Sequence, residues 1–121
     1  MKNVLLFAGS NSPQSINKQL IKHTSTLIKA DKATVLDLND YPLPIYSSET
    51  EEKEGVPENA LALKKVIEAH DHLVISVAEH NHSVTSFFKN TLDWLSRTQK
   101  DYRILQGKSI LLYPFYSGLA E

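Results

Sequence analysis

Cysteine is absent from the 121-residue chain, which excludes disulfides, thiolate metal sites and cysteine catalysis. An excess of either charge is absent too. Lys and Arg number 13 against 14 Asp and Glu, a net charge of -1, so no basic surplus marks a nucleic-acid surface. No apolar run approaches the length of a membrane span. Met1-Lys2-Asn3-Val4 leads straight into a short strand with no small-residue cleavage pattern, so the expectation is a cytoplasmic protein without a signal peptide. There is no internal repeat, linker or low-complexity segment. What remains is one globular domain over residues 1–121. At 41% hydrophobic residues, it can bury roughly two-thirds of its unfolded surface.

One stretch organises the chain: Gly9-Ser10-Asn11-Ser12-Pro13-Gln14-Ser15-Ile16-Asn17. It follows the apolar run Val4-Leu5-Leu6-Phe7-Ala8 and precedes a helical pattern from about Asn17 to Lys29. A buried strand that empties through such a loop into a helix points backbone N–H groups at one spot, where the helix end adds about half a positive charge. That arrangement holds a phosphate without a charged side chain. Ser10, Ser12 and Ser15 offer hydroxyls and Asn17 an amide. The plain alternative is an ordinary turn with Ser15 as helix N-cap. The three-glycine dinucleotide fingerprint and the Gly-Lys-Ser/Thr of a triphosphate loop are both missing, so a flavin mononucleotide phosphate is the better match.

The remaining pattern alternates strands and helices. Strand one is 3–8, apolar throughout and buried on both faces. Helix one puts Leu20, Thr24, Leu27 and Ile28 on one side. Strand two is 33–38, and residues 39–56 read as a long irregular stretch whose acidic run, Glu49-Thr50-Glu51-Glu52, is a solvated face. Pro57 and Glu58 open helix two, which carries Leu63, Val66, Ile67 and His70. Strand three is 72–78. Helix three, about Thr85 to Arg97, shows two apolar stripes, Phe88-Leu92-Leu95 and Phe87-Thr91-Trp94; the second is expected to meet another helix or another subunit. Strand four is 109–113. This order implies an α/β fold with a parallel sheet, its ligand beyond the carboxyl ends of the strands.

The loop after strand three, Ala78-Glu79-His80-Asn81-His82-Ser83, is the second chemical candidate. Its readings are an exposed polar turn, a metal site on His80 and His82, a Ser-His hydrolase, or a bed for a planar ring. The metal lacks an evident third ligand. The hydrolase lacks a Gly-x-Ser-x-Gly elbow. The ring bed would use Glu79, His80, Asn81 and His82, mostly through backbone N–H groups.

Together the two loops resemble the NADPH-dependent FMN reductase family, the flavodoxin-like group of azo- and quinone reductases. Its Gly-Ser-x-Arg-x-x-Ser-x-Asn is matched by Gly9, Ser10, Ser15 and Asn17. Its Pro-Glu-Tyr-Asn-Gly-Ser, followed by Leu-Lys-Asn-Ala-Leu-Asp-Trp-Leu-Ser, is matched by residues 78–83 and by Phe88-Lys89-Asn90-Thr91-Leu92-Asp93-Trp94-Leu95-Ser96. The resemblance implies a flavodoxin-like, doubly wound sheet and an FMN enzyme. There NAD(P)H as co-substrate passes a hydride through the flavin to a small-molecule electron acceptor. No catalytic acid or base and no metal ligand follow from it.

The departures are specific. Ser12 replaces an arginine, His80 a tyrosine and His82 a glycine. Members also run on beyond the point that Glu121 occupies here. The expectation is therefore a C-terminally truncated member: four strands in the order 2-1-3-4, with the fifth strand and closing helices missing. Leu73, Ile75, Leu111 or Tyr113 would then lie bare, and a homo-oligomer would cover them. The rivals are a flavin-poor protein without activity and a phospho-receiver domain. The receiver lacks the acidic residues it needs after strands one and three.

Overall fold

A computed structural model describes residues 3–10, 16–28, 32–80, 83–98 and 108–115, with the backbone alone of 78–80, 83–84 and 113–115 among them. In chain order the elements are β1 (Asn3–Gly9), α1 (Ile16–Leu27), β2 (Lys32–Leu36), a 3-10 turn (Leu38–Asp40), α2 (Ser48–Glu54), α3 (Glu58–Glu68), β3 (His72–His80), β4 (Ser83–Val84), α4 (Ser86–Ser96) and β5 (Ser109–Phe115). Four strands run parallel in the order β2-β1-β3-β5. The parallel sheet was expected from the alternating pattern, and its flavodoxin-like order from the family resemblance.

Pleating divides the apolar runs between two faces. Leu5, Phe7, Leu73, Ile75 and Val77 point to one side, where Leu63 and Ile67 of α3 and Phe88 and Leu95 of α4 close over them. Val4, Leu6, Ala8 and Val74 point to the other, under Ile21 of α1. The buried stripe of α1 is Asn17, Ile21 and Thr24. Leu27, expected on that stripe, is 66% exposed.

Several expectations are corrected. Strand two stops at Leu36 because Asp37 turns the chain, its Oδ1 accepting from the Asn39 N–H at 2.9 Å. The stretch 39–56 is not irregular throughout, since it contains α2. Ser47 caps that helix by accepting from the Thr50 N–H at 3.1 Å, and Gly55 ends it at φ +75°. A helix with no buried residue leaves no apolar period to read. The second stripe of α4 is covered within the chain, where the segment 44–51 lies over it. The Trp94 indole N–H donates to Pro44 O at 2.7 Å, and the Tyr46 ring stands edge-on to Trp94 with centroids 4.9 Å apart. Asn90 accepts from the Tyr46 N–H at 2.8 Å and donates to Pro44 O at 2.9 Å. Nor is the acidic run merely solvated, because Glu51 accepts from both Arg97 Nε and the Tyr46 hydroxyl at 3.0 Å.

Leu73 and Ile75 are not bare either: both are buried under α3 and α4. On β5, by contrast, Ile110, Leu111 and Leu112 are 41%, 49% and 55% exposed. Tyr113 is described by its backbone alone.

Candidate functional site

The two loops singled out in the sequence leave neighbouring strands at the same edge of the sheet. β1 and β3 pair in parallel, with Ala8 opposite Ser76 and Gly9 opposite Val77. Whatever follows Gly9 therefore starts beside Ala78. Parallel neighbours that continue into helices bring their carboxyl ends together, which is where ligands of such sheets sit.

Two buried polar contacts clasp this edge. At the first, the Ser76 hydroxyl on β3 donates to Asn17 Oδ1 in the first turn of α1. Both residues are buried. At the second, the Thr85 hydroxyl donates to Gly9 O at 3.1 Å and accepts from the Phe88 N–H at 3.1 Å. Thr85 thus caps α4 and anchors it to the end of β1 with one oxygen. The approach is close: a Cβ on Gly9 would stand 2.8 Å from Cγ and Cδ1 of Phe88. Glycine is needed at position 9 for that contact.

Ser10 is buried at the end of β1, and Asn17 is buried beside β3. Ser12 and Ser15 lie outside the described residues. Glu79 and His80 are not loop residues as expected. They extend β3 and pair antiparallel with β4, Glu79 opposite Val84 and His80 opposite Ser83. The sequence between those pairs is Asn81-His82, which lies outside the described residues. The first turn of α1 carries no acidic residue, so no carboxylate of that turn opposes an anion at the positive end of the helix. A separate cavity of about 290 Å³ opens on the β2 flank, lined by residues that include Lys18, Lys22, Leu36 and Asp37. Its Lys18 is already paired with Asp37 at 3.3 Å, and none of its described lining residues belongs to β3.

Sequence reasoning missed Ser76 and Thr85. A lone hydroxyl inside Leu73-Val74-Ile75-Ser76-Val77 was the available signal for the first. For the second it was a threonine three residues before Phe88, the spacing of an N-cap.

Residues 2–120 match the NADPH-dependent FMN reductase family. The chain belongs to that family. It is 33% identical to a quinone reductase of Escherichia coli over 120 residues, 96% of this chain and 61% of that protein. It is 35% identical to a 2-hydroxy-1,4-benzoquinone reductase of a Burkholderia species over 95 residues, 78% of this chain and 50% of that one. Among solved structures it resembles the flavoenzyme NAD(P)H:(acceptor) oxidoreductase FerB of Paracoccus denitrificans, with a TM-score of 0.75 and 27% identity. That match covers 94% of this chain and 60% of the other. The chain thus spans between half and about three-fifths of the length of these relatives.

Proposed function

We propose that this chain carries the flavin site of an NAD(P)H-dependent oxidoreductase acting on a small acceptor, with quinones the favoured class. The observation that carries the reading is the clasped edge. Residues matching both family motifs lie at neighbouring strand ends: Gly9, Ser10 and Asn17 after β1, and Glu79 and Ser83 in the β3–β4 pair. The donor set fits the group. Hydroxyls, an amide and a helix end without a carboxylate suit a phosphate dianion, and quinone reduction is named for both curated relatives.

In this reading Ser10, Ser12, Ser15 and Asn17 hold the phosphate of FMN. Glu79, His80, Asn81 and His82 bed its ring, chiefly through backbone. When bound, FMN would supply a two-electron relay, taking a hydride from NAD(P)H and a proton from solvent water and passing two electrons and two protons to the acceptor. The protein's part is to place the flavin and to offer N–H donors to its anionic groups. The setting is a cytoplasm that supplies NAD(P)H, and the exposed apolar side chains of β5 support association of copies into a homo-oligomer. Among the described residues no helix is long and apolar enough to cross a membrane.

Binding of FMN against riboflavin tests the reading, since riboflavin lacks only the phosphate. A hydrogen bond to a charged group contributes about 1.5–3 kcal/mol, so Ser15→Ala weakens FMN about tenfold or more and leaves riboflavin unchanged. Equal losses for both flavins overturn the phosphate assignment. His82→Gly, the family residue, holds or improves affinity for both; a large loss overturns the backbone bed.

A further inference from the structure

Among the described side chains of β3, Ser76 is the one buried polar residue, between Ile75 and Val77, and its relative exposure is 0%. It shares its face of the sheet with Val74, under α1. A hydroxyl in that place costs stability unless it is bonded, and its bond goes to Asn17, itself 4% exposed. Packing alone does not call for this pair. Replacing both partners of such a bond by apolar groups of the same shape is close to neutral.

What the bond does supply is position. A hydroxyl can donate to one end of a carboxamide or accept from the other, so the bond does not select an end of the amide, but it holds the Asn17 side chain against β3 in the first turn of α1. A side chain so tethered keeps one placement relative to an anion held at the head of α1.

We propose that Ser76 is a positioning residue for FMN: it acts through Asn17, holding that side chain in place to meet the phosphate. This inference rests on the reading of the 10–17 loop as the phosphate site. It assigns Ser76 no contact with the flavin.

Quenching of flavin fluorescence gives dissociation constants for FMN and riboflavin with wild type, Asn17→Ala, Ser76→Ala, Ser76→Thr and the Asn17→Ala/Ser76→Ala double variant. Riboflavin serves as the internal control for folding. Asn17→Ala is expected to weaken FMN about tenfold or more, and Ser76→Ala about three- to tenfold, both with riboflavin unchanged. Ser76→Thr, which keeps the hydroxyl, retains FMN affinity. Ser76→Ala adds nothing to Asn17→Ala, because the two act as a unit. If Asn17→Ala discriminates between the flavins and Ser76→Ala does not, the positioning role is overturned and the phosphate reading survives. If Asn17→Ala weakens both flavins equally, or wild type has no preference for FMN, the phosphate reading falls and the inference with it. A Ser76→Ala protein that loses both flavins equally reduces Ser76 to a structural residue.

Discussion

The outer stripe of α4 and the surface of β5 are both apolar in sequence, and their fates differ. Trp94 and Thr91 are buried, covered by the chain's own segment 44–51. Ile110, Leu111 and Leu112 remain 41–55% exposed although β5 is hydrogen-bonded in register along β3. The difference lies in what holds the cover down. Over α4, Asn90, Trp94 and Arg97 bind the covering segment at Pro44, Tyr46 and Glu51. Pairing with β3 occupies one edge of β5 but covers neither of its faces. Covering a strand takes a second layer, and among the described elements β3, not β5, lies under α3 and α4.

Truncating one residue on each surface is the most forceful way to break this comparison. Trp94→Ala removes a wholly buried ring and is expected to cost about 3–5 kcal/mol. Leu111→Ala, half exposed, is expected to cost at most about 1 kcal/mol. Urea denaturation of both variants measures the gap. A Leu111→Ala loss as large as that of Trp94→Ala would mean that β5 is covered in solution. Light scattering over a dilution series would then show whether another copy provides the cover.

Asn90→Ala sharpens the comparison by loosening the cover without touching the surface beneath. It deletes two bonds to backbone, at about 0.5–1.5 kcal/mol each, so a loss of about 1–3 kcal/mol is expected on thermal unfolding. Trp94 is the chain's single tryptophan, and its emission should shift to longer wavelength as water reaches it. An unchanged spectrum with normal stability would show that packing of Tyr46 on Trp94 suffices to hold the segment.

These two surfaces also mark how far the sequence could be read. Strands and helices with a buried stripe were legible because burial imposes a period: β1, β3, α3 and α4 fall within a residue or two of expectation. The helix α2 was not, since Ser48–Glu54 buries nothing and announces itself only through its Ser47 cap and Gly55 stop. The stretch Lys89-Asn90-Thr91-Leu92-Asp93-Trp94 was legible as a family motif. That Asn90 grips a backbone some 45 residues earlier was not, because a contact with irregular chain has no period. Ile110-Leu111-Leu112 reads like Leu73-Val74-Ile75, and composition cannot tell the covered strand from the uncovered one. At the candidate site, Gly9, Ser10 and Asn17 were legible from residue type. Ser76, the partner of Asn17, stood hidden in a run otherwise apolar.

The smallest effect expected is that of pH on the rim of the cover. The Arg97 guanidinium, hydrogen-bonded to Glu51, holds its carboxyl below the ordinary value of 4.5, with the Tyr46 hydroxyl adding to the effect and desolvation opposing it. The hydrogen bond to Glu51, with desolvation, raises the Tyr46 hydroxyl above 10.0; nearby Arg97 opposes this and Asp93 adds to it. The signs are opposite. A depressed carboxyl contributes stability above its unfolded value and loses it as pH falls through the folded one. A raised phenol contributes below its unfolded value and loses it as pH rises through the folded one. The rim is therefore complete across neutral pH and fails at both extremes. Glu51→Gln tests the acid side. Its melting temperature should lie slightly below that of wild type from pH 8 to about pH 5, since an ion pair this near solvent contributes little. The gap should close as pH drops below 4.5. A gap that persists unchanged into acid would show that Glu51 acts through its shape and neutral hydrogen bonds, not through its charge.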